Sequence, residues 1–356
     1  MRPARSGTIQ PALISNSAIW FVDLGSSIVV RPAMRKAALL YNPVSGGSRT
    51  PRHAELESAL ALLQRAGVQA ELIACQSRGD AQEQTRRAML SGCDTVFACG
   101  GDGTIHDTVQ VLAKSQVALA ILPMGTANTL AHDLKIPFDL VEAARTALHA
   151  LPRRIALGHL QYVDLDRKPA ASYFVVAAGA GVDAHLFYKL RPAAKQRLGM
   201  GAYYVKAWHL WFSHIMIRFV IEYIEAGSDQ LRQANVTELL GVRIANFGGV
   251  LRQLAPGASL DRDDLRLVFC TTASRLAYLL YVIRALLRRN WTIPGIELAY
   301  SKKVACRYSP STSTNTLPEV QPLVYVEADG ELLGTLPAEM TIVPDALTIL
   351  GSPETT

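Results

Sequence analysis

The chain has 356 residues, of which 49% are apolar, so it can bury sizeable cores and is too long for one ordinary domain. Its formal net charge of +6 comes from mostly scattered Lys and Arg residues, which suits an anionic lipid surface or a phosphate-bearing substrate, and the aromatic-and-basic pattern of a single-strand nucleic-acid binder is missing. Five cysteines without a CxxC pair exclude a disulfide framework and a zinc site, and they favour the reducing cytosol. No uninterrupted apolar run reaches the roughly 20 residues that span a bilayer, so we expect no transmembrane segment.

The first 33 residues differ in character from the rest. Arg2 and Arg5 precede an apolar stretch, 12–30, that polar residues interrupt, so the segment makes a poor signal peptide. Met34 stands directly before residues that predict an opening strand. We therefore expect residues 1–33 to be a disordered extension or a misplaced start, and the folded protein to begin at Met34.

From residue 37 to residue 148, short apolar runs alternate with segments of helical periodicity. This alternation predicts an α/β domain over residues 34–153, with a parallel sheet and helices on both faces. Asp80 is the predicted N-cap of the second helix, with Glu83 in the capping-box position. The predicted strands are 37–41, 69–74, 95–99 and 117–122, and the predicted helices are 51–66, 80–92, 104–113, 129–134 and 138–148.

Turns rich in glycine and serine follow three of these strands, after Tyr41, Cys99 and Leu122. Backbone N–H groups of such turns can close on a phosphate beside a helix N-terminus, and ligands of parallel sheets bind at the carboxyl ends of the strands. One glycine turn alone is more often a plain connection, but three at one sheet edge favour a nucleotide site. Asp102, in the middle turn, would repel a phosphate unless a metal ion or a transferable proton stood between them.

After residue 153, strand-like runs follow one another without regular crossover helices, which predicts an antiparallel β-rich domain over 154–339, a sandwich or a barrel, of which we favour the sandwich. Two predicted helices, 201–213 and 274–289, interrupt these strands, and the Ser-, Thr- and Pro-rich segment 309–322 predicts a mobile loop. The runs 340–343 and 346–350 predict two short final strands. We expect part of 340–351 to return to the first domain.

Three motifs stand in the order and spacing of the diacylglycerol kinase catalytic domain. They are Asn42-Pro43-x-Ser45-Gly46, Gly100-Gly101-Asp102-Gly103-Thr104 and Pro123-x-Gly125-Thr126-x-Asn128-x-Leu130-Ala131. The chain resembles a bacterial member of this lipid-kinase family, which also includes sphingosine and ceramide kinases. Weaker matches at 248–258 and at Asp329-Gly330-Glu331 extend the resemblance over nearly all of residues 36–350.

The resemblance implies an N-terminal nucleotide domain related to phosphofructokinase and NAD kinase, followed by a β-rich domain that receives the lipid. It implies ATP and Mg²⁺ in the cleft and transfer of the γ-phosphoryl group to a lipid hydroxyl of the diacylglycerol or sphingoid type. The protein would act in the cytoplasm, peripherally at the inner membrane face. Whether it forms a homodimer is left open by the sequence. The implied nucleotide contacts are Asn42, Pro43, Ser45, Gly46, Gly100, Gly101, Asp102, Gly103, Thr104, Gly125, Thr126 and Asn128.

Phosphoryl transfer also needs a group that accepts the hydroxyl proton. In bacterial members of the resembled family, the residue at the position of Glu331 has this role. In sphingosine kinases, the residue at the position of Asp102 has it. We favour Glu331 as the base and expect Asp102 to bind Mg²⁺ directly or through water. Asp329-Gly330 is also a strong hairpin signal, and a rigid turn is a good way to present a carboxylate, so both interpretations hold together.

The chain departs from the family's pattern at several positions. His106-Asp107 stands where Asn-Glu is usual, and we favour a helix-surface position for His106 over a contact with phosphate or substrate. Arg262 stands where relatives have an aspartate of a structural Mg²⁺ site. The neighbouring aspartates, Asp261, Asp263 and Asp264, could rebuild such a site, but a solvated acidic loop is the preferred interpretation.

Two stretches of the C-terminal region keep alternatives open. The helix at 277–289 is either an interfacial membrane helix or a helix packed on the β-rich domain. The aromatic residues at 203–212 line a lipid pocket or, preferably, a core. Two other functions also stay open, a soluble NAD-kinase-like small-molecule kinase and a nucleotide-binding regulator without catalysis.

Overall fold

The computed structural model describes residues 34–43, 49–181, 216–248, 254–287, 291–309 and 323–351. The predictions for residues 1–33, for 201–213 and for the loop at 310–322 lie outside these residues, as do those for Ser45 and Gly46.

Four parallel strands form the N-terminal part of the sheet, in the order β4-β3-β1-β2. β3 and β4 bury all six of their residues, as expected of parallel strands that are covered on both faces. The predicted parallel α/β arrangement is confirmed. Its elements are β1 (Lys36–Tyr41), α1 (Arg49–Arg65), β2 (Gln69–Ala74), α2 (Arg78–Leu90), β3 (Thr95–Gly100), α3 (Asp102–Leu112), β4 (Ala118–Pro123), α4 (Thr129–Asp133) and α5 (Leu140–His149).

The start of α2 differs from the prediction. Ser77 is the N-cap, and its Oγ accepts the Asp80 N–H at 3.3 Å. Asp80 lies inside the first turn and accepts the Gln76 N–H at 2.8 Å. The prediction that Asp80 caps this helix was therefore wrong, because the serine three residues earlier already satisfies the helix's N–H group.

The C-terminal region is β-rich, as predicted, and every described strand pairing within it is antiparallel. Its elements are β5 (Arg153–Asp164), β6 (Pro169–Phe174), β7 (Ala177–Gly181), β8 (Phe219–Ile224), β9 (Leu231–Val236), β10 (Glu238–Val242), β11 (Leu265–Cys270), α6 (Arg275–Leu286), β12 (Ile296–Ser301), β13 (Lys303–Tyr308), β14 (Tyr325–Ala328) and β15 (Glu331–Ile349).

The long strand β15 connects the two sets of strands. It pairs antiparallel with β14, β13 and β5, and at its end Thr348 and Ile349 pair in parallel with Ala118 and Leu119 of β4. The two predicted final strands are thus one strand, with an irregular register between Val343 and Leu347. One continuous strand therefore leads from Glu331 to the edge of the parallel sheet.

Two clusters of buried apolar side chains support these strands. The first includes Phe97 of β3, surrounds the parallel sheet with its helices, and extends to Leu240 of β10 and Tyr281 of α6. The second includes Phe174, Phe219 and Phe269 and lies among strands of the β-rich region. Burial on this scale fixes the strand ends, so the turns that follow them are held in defined positions.

Candidate active site

The glycine turn after β3 lies directly against the turn after β4. A Cβ atom added at Gly125 would overlap the Cα of Gly101 and lie 3.2 Å from the Gly101 nitrogen. A Cβ atom at Gly100 would overlap the side chain of Thr104. Gly125 is therefore required for the close approach of the two backbones, and Gly100 leaves room for the Thr104 side chain.

Asn128 braces the turn after β4. It adopts the left-handed conformation, with φ 48° and ψ 49°, which asparagine tolerates better than most residues. Its Oδ1 accepts the Gly125 N–H at 2.8 Å, and its Nδ2 donates to the Gly125 carbonyl at 2.9 Å. The Asn128 side chain is thus engaged with the loop itself, whereas Thr126 is exposed at the tip of that loop.

Asp102 links the two turns. Its Oδ1 accepts the Thr129 N–H, the first residue of α4, at 2.7 Å. Burial raises the pKa of Asp102, and the nearby charge of Asp329 raises it further, while the hydrogen bond from Thr129 opposes both effects. A carboxylate in this situation gains from a nearby cation, which would compensate the charge that burial disfavours.

Glu331 lies beside the first turn of α3. It follows a two-residue hairpin turn, Asp329-Gly330, whose φ values of 50° and 81° are both positive, as in a type I′ turn. A Cβ atom at Gly103 would lie 3.1 Å from Glu331 Oε1, so the missing side chain leaves room for this carboxylate. The structure thus brings Glu331 next to the glycine turn that contains Asp102.

Asp329 is the buried anchor of this hairpin. Its carboxylate accepts the backbone N–H groups of Val175, Val176 and Ala177 at 2.8 to 3.3 Å. Its own N–H donates to the Ala177 carbonyl at 2.8 Å. The sequence had indicated Asp329 only as a turn residue. An aspartate directly before a glycine signals a hairpin turn, but it does not reveal these buried contacts with the backbone of 175–177.

His106 on α3 meets this anchor. Its Nδ1 lies 3.2 Å from Asp329 Oδ2, and His106 is only 4% exposed, so the expected helix-surface position was wrong. Burial lowers its pKa, but the hydrogen bond that it donates to Asp329 and the charges of Asp329, Asp107 and Glu331 outweigh burial and leave the pKa raised. Position 106 follows Asp102 by one helical turn, a spacing that could have placed it on the same face.

A cavity of about 420 Å³ lies next to His106. Gln110 closes one side, since its amide exchanges two hydrogen bonds of 2.8 Å with the backbone of Tyr173. The other lining residues come from α2, α3, β5, β6 and β15, and they are Gln82, Asp107, His159, Tyr162, Ala171, Ser172 and Leu333.

The third predicted turn begins at Asn42. Asn42 is half-buried and Pro43 is exposed, directly after β1. Because β1, β3 and β4 are parallel neighbours, their carboxyl ends share one edge of the sheet. The predicted contacts at Asn42, Gly100, Gly101, Asp102, Gly103, Thr104, Gly125, Thr126 and Asn128 therefore lie in the turns at this edge.

The predicted acidic loop is organised by a buried arginine. Arg243 is fully buried, and burial lowers its pKa to about 10, against the raising effect of three nearby aspartates. Its guanidinium donates to the carbonyls of Arg262, Asp264, Ala156 and Leu260 at 2.6 to 3.3 Å. Sequence reasoning did not single out Arg243, although a lone arginine after the apolar run of β10 was a signal.

Two aspartates of this loop, Asp261 and Asp264, are paired with arginines. Arg262 holds Asp264 by two hydrogen bonds of 2.7 Å and stacks on Tyr300 at 4.0 Å, while Arg153 pairs with Asp261. Asp264 is buried, so a solvated loop does not describe it. Within the described ranges, no group of three or more His, Cys, Asp or Glu side chains could hold a metal ion.

One face of α6 is packed and the other is apolar and exposed. Ala277, Tyr281 and Arg284 are buried, and the Arg284 guanidinium stacks on Tyr281 at 4.4 Å. Leu276 is 62% exposed and Leu280 is 39% exposed. The buried face agrees with a helix packed on the rest of the protein, and the interfacial membrane helix stays a prediction. In the described part of the chain, no helix is long and apolar enough to cross a membrane.

This combination of a parallel sheet, glycine turns at one sheet edge and a β-rich region is a fold shared with solved structures. A diacylglycerol kinase from Bacillus anthracis str. Sterne aligns with a TM-score of 0.65 at 17% identity, over 90% of this chain and 98% of that one. Yeast NADH kinase complexed with NADH aligns with a TM-score of 0.50 at 10% identity, over 90% and 85% of the two chains. The predicted fold class is confirmed.

The sequence comparisons show which family this chain resembles. A model of the diacylglycerol kinase catalytic domain matches residues 36–160. The diacylglycerol kinase of Bacillus subtilis is 29% identical over 309 residues, covering 86% of this chain and 93% of that protein. The diacylglycerol kinase of Staphylococcus aureus (strain Newman) is 28% identical over 310 residues, covering 85% and 88%. The resemblance to this kinase family is therefore confirmed.

Proposed function

We propose that the protein is an ATP- and Mg²⁺-dependent lipid kinase that transfers the γ-phosphoryl group to a lipid hydroxyl of the diacylglycerol or sphingoid type. The observation that carries this proposal is the position of the Glu331 carboxylate against the first turn of α3, beside the glycine turn. The names of the sequence relatives supply the class of substrate.

The turns at the sheet edge are suited to the phosphates of ATP. α3 begins directly after Gly101, and the positive end of its dipole favours negative charge at the turn. Thr104 is half-buried on the first turn of α3, and Thr126 is exposed on the opposite turn, so their hydroxyl groups lie at the two turns that would hold a phosphate chain. Asn42 and Asn128 would keep the surrounding loops in place.

Asp102 is the residue that we assign to Mg²⁺. The ion typically binds one or two carboxylates together with substrate phosphates and water, so a single well-placed aspartate fits it. When bound, Mg²⁺ would neutralise charge on the transferring phosphoryl group. Asp102 fits this task because burial disfavours its charged form and its link to Thr129 fixes it between both turns.

Glu331 is the residue that we assign to proton transfer. It would accept the proton of the lipid hydroxyl while the hydroxyl oxygen attacks the γ-phosphorus. The rigid turn before it presents its carboxylate at the glycine turn, and the missing side chain of Gly103 leaves room for it. Phosphoryl transfer depends chiefly on such positioning, because the protein forms no covalent bond with the phosphoryl group.

The proposal extends to the domains and the membrane. Residues 34–153 would bind ATP, 154–339 would receive the lipid, and part of 340–351 would complete the first domain. The protein would act from the cytoplasm, peripherally at the inner membrane face, where its lipid substrate resides. The exposed leucines of α6 support contact with a lipid surface.

The test incubates the protein with labelled ATP and Mg²⁺ and a panel of diacylglycerol, sphingoid base, ceramide and NAD. We expect a labelled lipid, and we expect Glu331→Gln to lose about 100- to 10,000-fold in turnover. Glu339→Gln is the matched control, since Glu339 lies on the same strand and pairs with Lys303 at 2.9 Å. Turnover of Glu331→Gln within roughly tenfold of the parent would show that Glu331 is not the base.

The other outcomes of this experiment decide between the alternatives. Labelled NAD instead of lipid would support the NAD-kinase-like function, which the fold shared with yeast NADH kinase keeps in view. ATP binding without any labelled product would support a regulator without catalysis.

A further inference from the structure

The hairpin that carries Glu331 is fastened to α3 by one buried pair. His106 Nδ1 and Asp329 Oδ2 are 3.2 Å apart, and their side chains are only 6% and 2% exposed. Asp329 is two residues before Glu331 and is itself fixed by three backbone N–H groups of 175–177. His106 is one helical turn after Asp102. The pair therefore ties the helix of the glycine turn to the strand of the proposed base.

The other side of the imidazole is also confined. Its Nε2 lies 3.4 Å from Ser172 Oγ and 3.4 Å from the Gln110 amide nitrogen. Gln110 is held by the backbone of Tyr173, so the ring is set between α3, β6 and the hairpin turn. A ring with polar partners at both nitrogens keeps one orientation. A fixed imidazole can therefore hold the hairpin in a fixed position relative to α3.

We propose that His106 is a positioning residue for phosphoryl transfer, because its hydrogen bond with Asp329 holds Glu331 over Gly103 at the glycine turn. This inference rests on the proposed function and adds to it a residue that does not touch the reacting atoms. Loss of the pair frees the hairpin to move by a fraction of an ångström or more, and a misplacement of about 1 Å in an active site can cost about 100-fold in rate.

The charge of the pair gives a second readout. The groups that face the ring are Asp329 on the hairpin turn, Glu331 on β15, Asp107 on α3 and the neutral Ser172 and Gln110. Their balance against burial raises the pKa of His106. Its protonation therefore contributes stability that is complete below the ordinary value of about 6.5 and is lost as the pH rises through the raised folded-state pKa.

The experiment compares three variants of the full chain by kcat and KM on the lipid that the parent phosphorylates. His106→Ala is expected to lower kcat about 100-fold with KM for ATP within about threefold, because ATP contacts stay in place. His106→Asn keeps a donor for Asp329 and is expected to recover to within about tenfold of the parent. Val109→Ala, a buried substitution on the same helix away from the hairpin, controls for lost stability and is expected to keep kcat.

The pH profile separates positioning from a purely structural role. The parent is expected to lose kcat on the alkaline side as the imidazolium is deprotonated, and His106→Asn is expected to lack that limb. The same limb in His106→Asn, or equal kcat in His106→Ala and Val109→Ala, would overturn the inference while the proposed function stands. A parent without turnover on any lipid refutes the proposed function, and this inference with it.

Discussion

The contact between Gly101 and Gly125 offers a sharp test of how the two turns form a site. Gly125→Ala adds one methyl group where no side chain fits, since its Cβ would overlap the Gly101 Cα and lie 2.8 Å from Asn128 Oδ1. The nearest atoms belong to backbone and to a doubly hydrogen-bonded amide, so they cannot move away singly. The turns must therefore separate.

The magnitude follows from the contacts. Overpacking of this kind costs about 1–3 kcal/mol, and weakening the two hydrogen bonds between Gly125 and Asn128 adds about 1 kcal/mol each. We expect Gly125→Ala to lose about 3–5 kcal/mol in the free energy of unfolding. A separation of about 1 Å between the turns would also lower turnover about 100-fold, because both turns would have to contact one phosphate chain.

The assay combines urea unfolding, calorimetric ATP binding and kcat on the phosphorylated lipid. Gly79→Ala is the matched control: nothing lies within 4 Å of its added Cβ, and it sits in the first turn of α2. It is expected to gain about 0.5–1 kcal/mol in stability and to keep ATP binding. If Gly125→Ala matches Gly79→Ala in ATP affinity and stability, the close approach of the turns does not form the nucleotide site.

The remaining predictions concern two other features. Arg243→Met leaves four carbonyls without their donor, and three of these hydrogen bonds are buried, so it is expected to cost more than about 3 kcal/mol in urea unfolding. Arg262→Ala, at a half-exposed ion pair, is expected to cost about 1 kcal/mol. Equal losses would show that Arg243 does not organise the loop. The double variant Leu276→Asp with Leu280→Asp is expected to bind anionic vesicles at least about tenfold more weakly than the parent. The control Leu90→Asp, at an 88% exposed position, is expected to leave vesicle binding unchanged. Unchanged vesicle binding of the double variant would exclude α6 as the membrane contact.

The sequence predicted the parallel half of the fold well for a physical reason. Strands buried on both faces must be continuous apolar runs, and β3 and β4 are such runs, so pattern and burial coincide. The start of a helix was predicted wrongly where the local sequence offers two possible N-cap residues. Ser77 and Asp80 are both good N-cap residues, and only the folded backbone shows that Ser77 takes the position.

Contacts between distant parts of the chain could not be predicted from the sequence. His106 looked like a surface residue because nothing in its helix reveals that Asp329 packs against it. The final strand was read as two because the irregular register between Val343 and Leu347 interrupts its alternation, although pairing with β5 continues on both sides. In both cases the partner, rather than the local pattern, decides the structure.

Three carboxylates lie around the glycine turn, and the residue type alone does not tell their roles apart. Their hydrogen-bond partners and their burial do. Asp329 accepts three backbone N–H groups and a histidine within a buried site, which suits it to hold the hairpin and leaves it ill-suited to bind a substrate. Asp102 is buried with a raised pKa and is linked to α4, so a cation there would stabilise it most. Glu331 is half-buried at the start of β15, over a glycine that leaves it room, which favours contact with an incoming hydroxyl. We expect that loss of the Asp102 carboxylate changes how turnover depends on the Mg²⁺ concentration. Loss of the Glu331 carboxylate is expected to lower turnover and to leave its dependence on the Mg²⁺ concentration unchanged.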